Sequence, residues 1–600
     1  SPTLFRSGKW QQMEFDVSAV SHDMRPQPGS GNWGPHAKYT CNRFGFKFVS
    51  SDTTGVVGIH SLPVQFIHES LPDTATMYGF EVDLSSVPVY EKYEVRFQLS
   101  VVPENPFDPD SADIRAEITA PSGDKHEVFG FYYRPYRRYL ETEEEFIVPS
   151  GPASWAVRFA PVEEGTHEMT IRGSVAGMEI SPKTLSFMAT PAQTEGFIRV
   201  SSRDERMLEF SSGKEFYPIG HSLRSPVDTR MYARFNVNWL PDHGTFKYDT
   251  VLDKMATGRE NFFEFWISSW FSGLEWTADW KGYQGLGRYN LANCWKVDYI
   301  LERSRELEMY LNVVIDNHGK YSAYCDDEWQ YSPYNVLNGG FLKSPREFWR
   351  SEKARDYYRK KVRYIVARWG YSREIAAWEL VSELDLTGEG YNDYLEDGAV
   401  EWTDIMSKYL HDIDPFKHLV STHYCFDYRN VNAGISKMKG IDWLVCDGYR
   451  LAGDIPSLWQ RTVAELAYTY NKPAMVTEFG SSHTGGAMGL LQSELHQGIW
   501  AAYMTELAGT PLFWWFEAVE KEDWYFHFRA LANFADGETR LGEGMKSVQI
   551  QGIRKGISAI GLKHRKKGYF WVYATEVLEA YNARPSKVIK IGRASCRERV

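Results

Sequence analysis

The sequence predicts an α/β protein built on a (β/α)8 barrel, a TIM barrel, with N-terminal β-sandwich domains and a small C-terminal β domain. Three observations predict this. Between Phe216 and Ala518, eight short apolar stretches alternate with longer segments of helical spacing and charged outer faces. Upstream, short alternating stretches recur between turn residues with no helical period. At 600 residues the chain exceeds what one core supports, so several domains are expected.

Residues 1–75 carry alternating stretches such as "WQQMEFDVSAV", "NRFGFKFVS" and "TGVVGIHSLPVQF", with a Gly/Pro/Asn-rich loop between the first two. They resemble the second half of a jelly-roll carbohydrate-binding module; a plain all-β spacer fits the same pattern. Residues 76–192 stay all-β, with strands every 8–12 residues, as in an immunoglobulin-like sandwich. Within them "DPDSAD" at 108–113 is an acidic turn whose spacing matches no calcium loop. "TPAQTEG" at 190–196 reads as a linker.

The barrel is expected over 196–545. Its strands are "FYPIGHSL", "NFFEFWI", "YLNVVID", "AAWELV", "HLVSTH", "WLVCDGY", "AMVTEFG" and "LFWWFEA", and helices include "CWKVDYILERSRELEM" and "ARDYYRKKVRYIVARWG". Near-continuous apolar strands separated by amphipathic helices imply a parallel sheet covered on its faces. Residues 546–590 return to β patterns, and 591–600 look like a vector-derived tail.

Composition narrows the partners. The net charge of −12 argues against nucleic acid or an anionic membrane surface as main partner, and no apolar stretch is long enough to span a bilayer. Six cysteines without CxxC pairing or regular spacing do not signal a zinc site or a disulfide scaffold. Aromatic residues reach 15%, with 21 Trp and 36 Tyr, enough to line a groove as well as fill a core. The chain starts at Ser1 without a signal-peptide pattern, and nothing in it sets an oligomeric state.

In such a barrel the chemistry sits at the C-terminal strand ends. Glu383 ends the fourth expected strand and Glu478 the seventh. His318 and His423 end the third and fifth, Tyr449 follows the sixth, and Trp514, Trp515 and Glu517 lie on the eighth. Alternation puts Glu379, Val381 and Glu383 on one face, with Glu379 lower in the lumen and in need of an Arg or hydrogen-bonding partner. Two carboxylates across a cleft suit glycosidic cleavage: one protonates the leaving oxygen, the other attacks the anomeric carbon or activates water. Trp266, Trp270, Trp276, Trp514 and Trp515 are candidates for stacking on sugar. Tyr331, Tyr334 and Asn335 lie in a long loop of the kind that builds clefts.

Several stretches together, "GRYNLANCWKVDYILE", "IDNHG", "SPYNVLNGGF", "YIVARWGYSREIAAWELVSELD", "DPFKHLVST", "KPAMVTEFG" and "LHQGIWAAYMTELAGTPLFWWFE", carry a resemblance. Over about residues 85–545 the chain resembles clan A glycoside hydrolases close to glycoside hydrolase family 5, in the subgroup with an immunoglobulin-like domain before the barrel. The resemblance implies a retaining hydrolase, secreted or periplasmic, that needs no metal or other cofactor and acts on a polysaccharide or oligosaccharide. It places the acid/base on Glu383 and the nucleophile on Glu478. It also exposes departures: Ser382 stands where the family has a sugar-binding Asn, Glu264 where it often has Arg, and Asp447 where a His precedes Tyr449. An endo-β-glucanase or β-mannanase is expected. An exo-β-glycosidase or galactan-active enzyme, a transglycosylase, and a glycan-binding protein on a degenerate barrel are the alternatives.

Overall fold

The computed structural model describes residues 74–574 apart from 83, 227–242, 450–453, 543, 555 and 566. All of these lie in one compact unit, 74–600. The module expected over 1–75, except its last two residues, and everything beyond 574 fall outside the described residues.

Residues 74–190 form two sheets. One runs Thr74–Ala75, Met178–Thr190, Gly165–Val175, Ala112–Thr119, Lys125–Phe129, with Ser86–Pro88 also on Met178–Thr190. The other runs Met77–Val82, Tyr93–Leu99, Ser154–Phe159, Phe131–Tyr133. Strict alternation explains why they pack. Ala112, Ile114, Ala116 and Ile118 point inward from one sheet, and Val95, Phe97, Trp155, Val157 and Phe159 from the other, into one buried cluster. A separate hairpin, Tyr136–Glu141 with Glu144–Pro149, pairs Arg138 with Asp249 of the following part at 2.5 Å.

The remainder is mixed α/β. Strands β1 (Gly220–Ser222), β2 (Phe262–Trp266), β3 (Tyr310–Asp316), β4 (Ile375–Val381) and β5 (Leu419–Ser421) form one parallel sheet in that order. Strands β6 (Leu444–Asp447) and β7 (Ala474–Glu478) form a parallel pair. Every residue of these strands is buried, as expected for strands covered on both faces. Backbone bonds continue beyond both sheets. Asp442 N–H donates to Val420 O at 2.9 Å, joining β5 to β6. Leu512 N–H donates to Val476 O at 2.9 Å, Thr510 N–H to Pro218 O at 2.9 Å, and Ser222 N–H to Phe513 O at 3.1 Å. The order of neighbours thus passes from β7 through segment 510–514 back to β1.

Helices follow the strands: α1 (Thr245–Thr257), α2 (Leu291–Glu306), α3 (Glu352–Trp369), α4 (Ala399–Ile413), α5 (Ile455–Thr462), α6 (Met488–Tyr503), α7 (Phe516–Glu522) and α8 (Tyr525–Ala535). Their starts are fixed by side chains that satisfy otherwise unpaired amides: Asn290 accepts from Ala292 and Asn293, Ser351 from Ala354, Asp454 from Ser457.

Two expectations change here. The eighth apolar stretch is not a strand. It makes one parallel bridge, Phe513 with Phe479, and turns into α7 at Phe516, so Glu517 sits in the first turn of a helix. The first stretch is also shorter than expected. Phe216 belongs to an antiparallel sheet of Ile198–Val200, Leu208–Phe210 and Glu215–Phe216. The side chains of Ile198, Leu208, Phe210 and Phe216 pack with Phe262, Tyr310 and Met475 and close the lower end of the parallel strands.

After α8 come three antiparallel strands, Lys546–Arg554, Ile557–Lys563 and Gly568–Ala574. Among the described residues no helix is long and apolar enough to cross a membrane.

Candidate active site

Glu478 is the last residue of β7, only 2% exposed, and accepts a hydrogen bond from Tyr449 Oη at 3.0 Å. Its neighbour across the β6–β7 pair is Asp447, at the end of β6. Asp447 lies 2.6 Å from His423 Nε2 and accepts from the Phe426 N–H at 3.2 Å. Gly480 follows in a left-handed conformation (φ +128°), and an added Cβ there would meet the Phe513 and Trp515 rings at 2.8 Å. This close approach lets the Trp515 indole donate to Gly480 O at 2.7 Å, bracing the turn after Glu478.

Glu383 stands two residues beyond β4. The extended chain ends at Val381, and Glu383 itself is left-handed at φ 40°, ψ 56°. Alternation therefore does not carry through to it, contrary to expectation. For a non-Gly residue this conformation costs about 1–2 kcal/mol. Bonds on either side hold it: Ser382 N–H to Asp316 O at 3.1 Å and Leu384 N–H to His423 O at 2.9 Å. The turned backbone leaves the side chain partly exposed, with Oε2 3.2 Å from His318 Nδ1.

Ser382, expected to meet substrate, is fully buried; its hydroxyl accepts from the His318 N–H at 3.2 Å. It fastens the loop after β3 to the end of β4.

Below these groups runs a column of buried polar side chains. Asn312 on β3 donates to Glu379 Oε2 at 2.8 Å and to Glu264 Oε2 at 3.2 Å. Trp266 donates its indole N–H to Glu264 Oε1 at 2.6 Å. Glu379 in turn lies 3.6 Å from His423 Nδ1. Glu379 thus has the hydrogen-bonding partner its position calls for.

Burial is the main cause that pushes Glu264, Glu379, Asp447, Glu383 and Glu478 above the usual carboxylate range. Mutual repulsion adds to it. For Glu478 the Asp447, Glu383 and Glu264 charges raise it further, while Arg224 opposes them. For Glu383 the His318 imidazole opposes the rise, and Asp447 and Asp385 add to it. Burial pulls His423 down to about 4, so its imidazole is neutral near pH 7.

Arg224 was not anticipated. It follows β1, is fully buried, and lies with its guanidinium carbon 3.5 Å from the centre of the Trp514 ring. Its backbone carbonyl accepts from the Trp266 N–H at 3.1 Å. A cation thus enters just after β1 at the level of Trp266, two residues beyond Glu264 on β2. Its only sequence signal is its place just after the first apolar stretch.

The remaining expected residues divide. Trp266 and Trp514 face each other at 5.8 Å between ring centres, beside Arg224. Glu517 is fully buried in α7. Asn335 is a loop brace: its amide donates to Trp329 O at 3.1 Å and accepts from Leu337 N–H at 3.0 Å. Among the described residues, two sets of side chains gather metal-ligand atoms within 4.8 Å of one another: His423, Asp447 and Glu478, and His318, Cys325 and Asp326. In the first, Asp447 and His423 already satisfy each other.

Comparison with known proteins bears on the fold. The profile of a family described as a domain of unknown function, DUF5060, matches residues 86–173. No curated protein matches. Among solved structures, a provisionally assigned glycoside hydrolase from Bacteroides vulgatus is 15% identical, with a TM-score of 0.52 over 80% of this chain and 84% of that one. That likeness is one of fold. An endo-β-1,4-mannanase from Thermotoga petrophila (15% identity, TM-score 0.38, 61% of this chain and 93% of that one) is more distant. So is a glycoside hydrolase family 5 mannosidase from Rhizomucor miehei (15%, 0.38, 53% and 86%). The structural neighbours are thus glycoside hydrolases.

Proposed function

We propose that this chain is a retaining β-glycoside hydrolase that cleaves a polysaccharide by double displacement. Glu478 attacks the anomeric carbon. Glu383 protonates the leaving oxygen and then deprotonates the incoming water. The observation that carries this reading is the pairing of two strand-end carboxyls, Glu383 after β4 and Glu478 on β7, whose charges act on each other in a buried site. Tyr449 fixes one oxygen of Glu478, and His318 lies against Glu383. The partly exposed carboxyl serves as acid, and burial and nearby acids raise it in the direction that role needs.

In this reading residues 196–545 are a (β/α)8 barrel in which segment 510–514 takes the place of an eighth strand. Residues 76–192 are an immunoglobulin-like sandwich, 546–590 a small β domain, and 1–75 a partial jelly-roll module. The protein acts outside the cytoplasm, and an endo-acting β-glucanase or β-mannanase is the favoured activity.

The test is hydrolysis of β-linked glucans, mannans, xylans and galactans, with products resolved by mass and length. Wild type yields products. Glu478→Gln yields none while melting at the wild-type temperature, and Glu383→Gln loses about 10²–10⁴-fold. Turnover by Glu478→Gln would end the assignment. Retention on a glycan without products from any form would identify a binding protein instead.

A further inference from the structure

The loop after β3 carries a second constellation, on the far side of the His318 imidazole from Glu383. We infer that His318 Nε2, Cys325 Sγ and one Asp326 carboxylate oxygen form a binding site for a divalent cation of the zinc class. Three observations carry this.

The first is geometry. The three ligand atoms lie within 4.8 Å of one another. His318 Nε2 is 3.4 Å from Asp326 Oδ2. Tetrahedral zinc with nitrogen, oxygen and sulfur ligands needs separations of about 3.4–3.6 Å between them, so a rotation of the Cys325 side chain completes the set. The Cys325 N–H donates to Ser322 Oγ at 3.0 Å, which holds the backbone while the thiol turns.

The second is an unmet need. His318 is 2% exposed, and its Nε2 is buried without a hydrogen bond of good geometry. A buried imidazole nitrogen normally finds a partner. This one points at a thiol and a carboxylate.

The third is the other face of the ring. Nδ1 lies 3.2 Å from Glu383 Oε2. Metal-bound histidines commonly donate their second N–H to a carboxylate, which fixes the tautomer and frees Nε2 for the ion. Here Nδ1 faces Glu383 and hydrogen-bonds Ser382 Oγ at 3.4 Å, so that side of the ring is occupied and Nε2 is left for the ion. Glu328, bonded to the Asn317 amide at 2.9 Å, adds negative charge nearby.

The donor set selects the ion. One nitrogen, one sulfur and one oxygen suit zinc and its soft neighbours; calcium and magnesium take oxygen ligands and have no use for a thiolate. Three protein ligands leave a fourth position for water. Cysteine spacing gave no sign of the site, because only one of the three ligands is a cysteine.

The test is titration of the full, reduced chain with Co²⁺ and Zn²⁺, followed by absorption and calorimetry. Turnover does not enter it, so it stands or falls apart from the proposed hydrolysis. One equivalent of Co²⁺ should give a thiolate charge-transfer band and tetrahedral d–d bands, and Zn²⁺ should displace it. Cys325→Ser should lose the charge-transfer band, and both it and Asp326→Asn should bind more than about tenfold more weakly. Cys425→Ser should behave as wild type. Absence of stoichiometric binding, or a band that persists in Cys325→Ser, would overturn the inference.

Discussion

Asp447 and Arg224 act on Glu478 with opposite sign. Burial comes first in raising the Glu478 carboxyl, Asp447 raises it further, and Arg224 lowers it. In the proposed reaction Glu478 must be ionised, so kcat/KM rises with pH through its pKa. Asp447→Asn removes a raising charge and should move this acidic limb to lower pH. Arg224→Met removes the opposing cation and should move it to higher pH. Asp447 also raises Glu383. The alkaline limb, where the acid loses its proton, should therefore fall with the acidic limb in Asp447→Asn. The limb positions report electrostatics separately from any loss of rate caused by freeing His423. A profile unmoved in both variants would remove this account of the site. Glu478 was legible in the sequence because a polar residue closing an apolar strand has few structural reasons to be there. Arg224 was not, because a lone Arg after a short apolar run looks like any surface cation until the fold buries it.

At the scale of elements, strands β2, β3 and β4 are tied by one amide. Asn312 spans Glu264 and Glu379, and both carboxyls are fully buried. Asn312→Leu keeps the volume and removes the donor, leaving two buried acids short of a partner. It should destabilise the protein by about 1–3 kcal/mol, read as a lower urea midpoint; an unchanged midpoint would show that the column does not hold the strands. The parallel strands and long helices were legible because their apolar runs and 3.6-residue spacing are long. Three features were not. The floor strands around Phe210 are two or three residues long, below any useful window. "LFWWFEA" is apolar except for Glu517, and such a run does not distinguish strand from helix; the bridge at Phe513 and the α7 start at Phe516 divide it. Glu383 lies two residues beyond β4, past the point at Val381 where the alternation that located it stops. The left-handed turn that presents it is a tertiary outcome, fixed by the Asp316 and His423 carbonyls.

Across the described residues, the two N-terminal sheets and the α/β part share a buried ion cluster. Arg158, on strand Ser154–Phe159, bonds Glu94 at 2.6 Å and Asp298 of α2 at 2.8 Å. Arg368 of α3 bonds the same aspartate at 2.5 Å, and the Trp369 indole donates to it at 2.8 Å. Around this knot, Tyr371 and Phe416 from the α/β part join the buried cluster between the two sheets. Lys360 pairs with Asp108 and Asp110 of the acidic turn, at 2.9 and 2.6 Å, so those carboxylates serve the interface. Burial alone would raise the Asp298 carboxyl, but Arg158 and Arg368 outweigh it and hold it well below the usual range. A depressed carboxyl contributes stability that is fully present above its unfolded pKa, about 3.9, and is lost as pH falls through the folded value. Asp298→Asn leaves two buried guanidinium groups without their shared counter-charge. It should cost about 3–5 kcal/mol at pH 7. It should also flatten the loss of stability below about pH 4, because the variant has no carboxyl there to protonate. Urea midpoints of both forms from pH 7 down to pH 3 check both parts. If the two curves ran parallel throughout, Asp298 would not be the acid-sensitive joint between the two sheets and the α/β part.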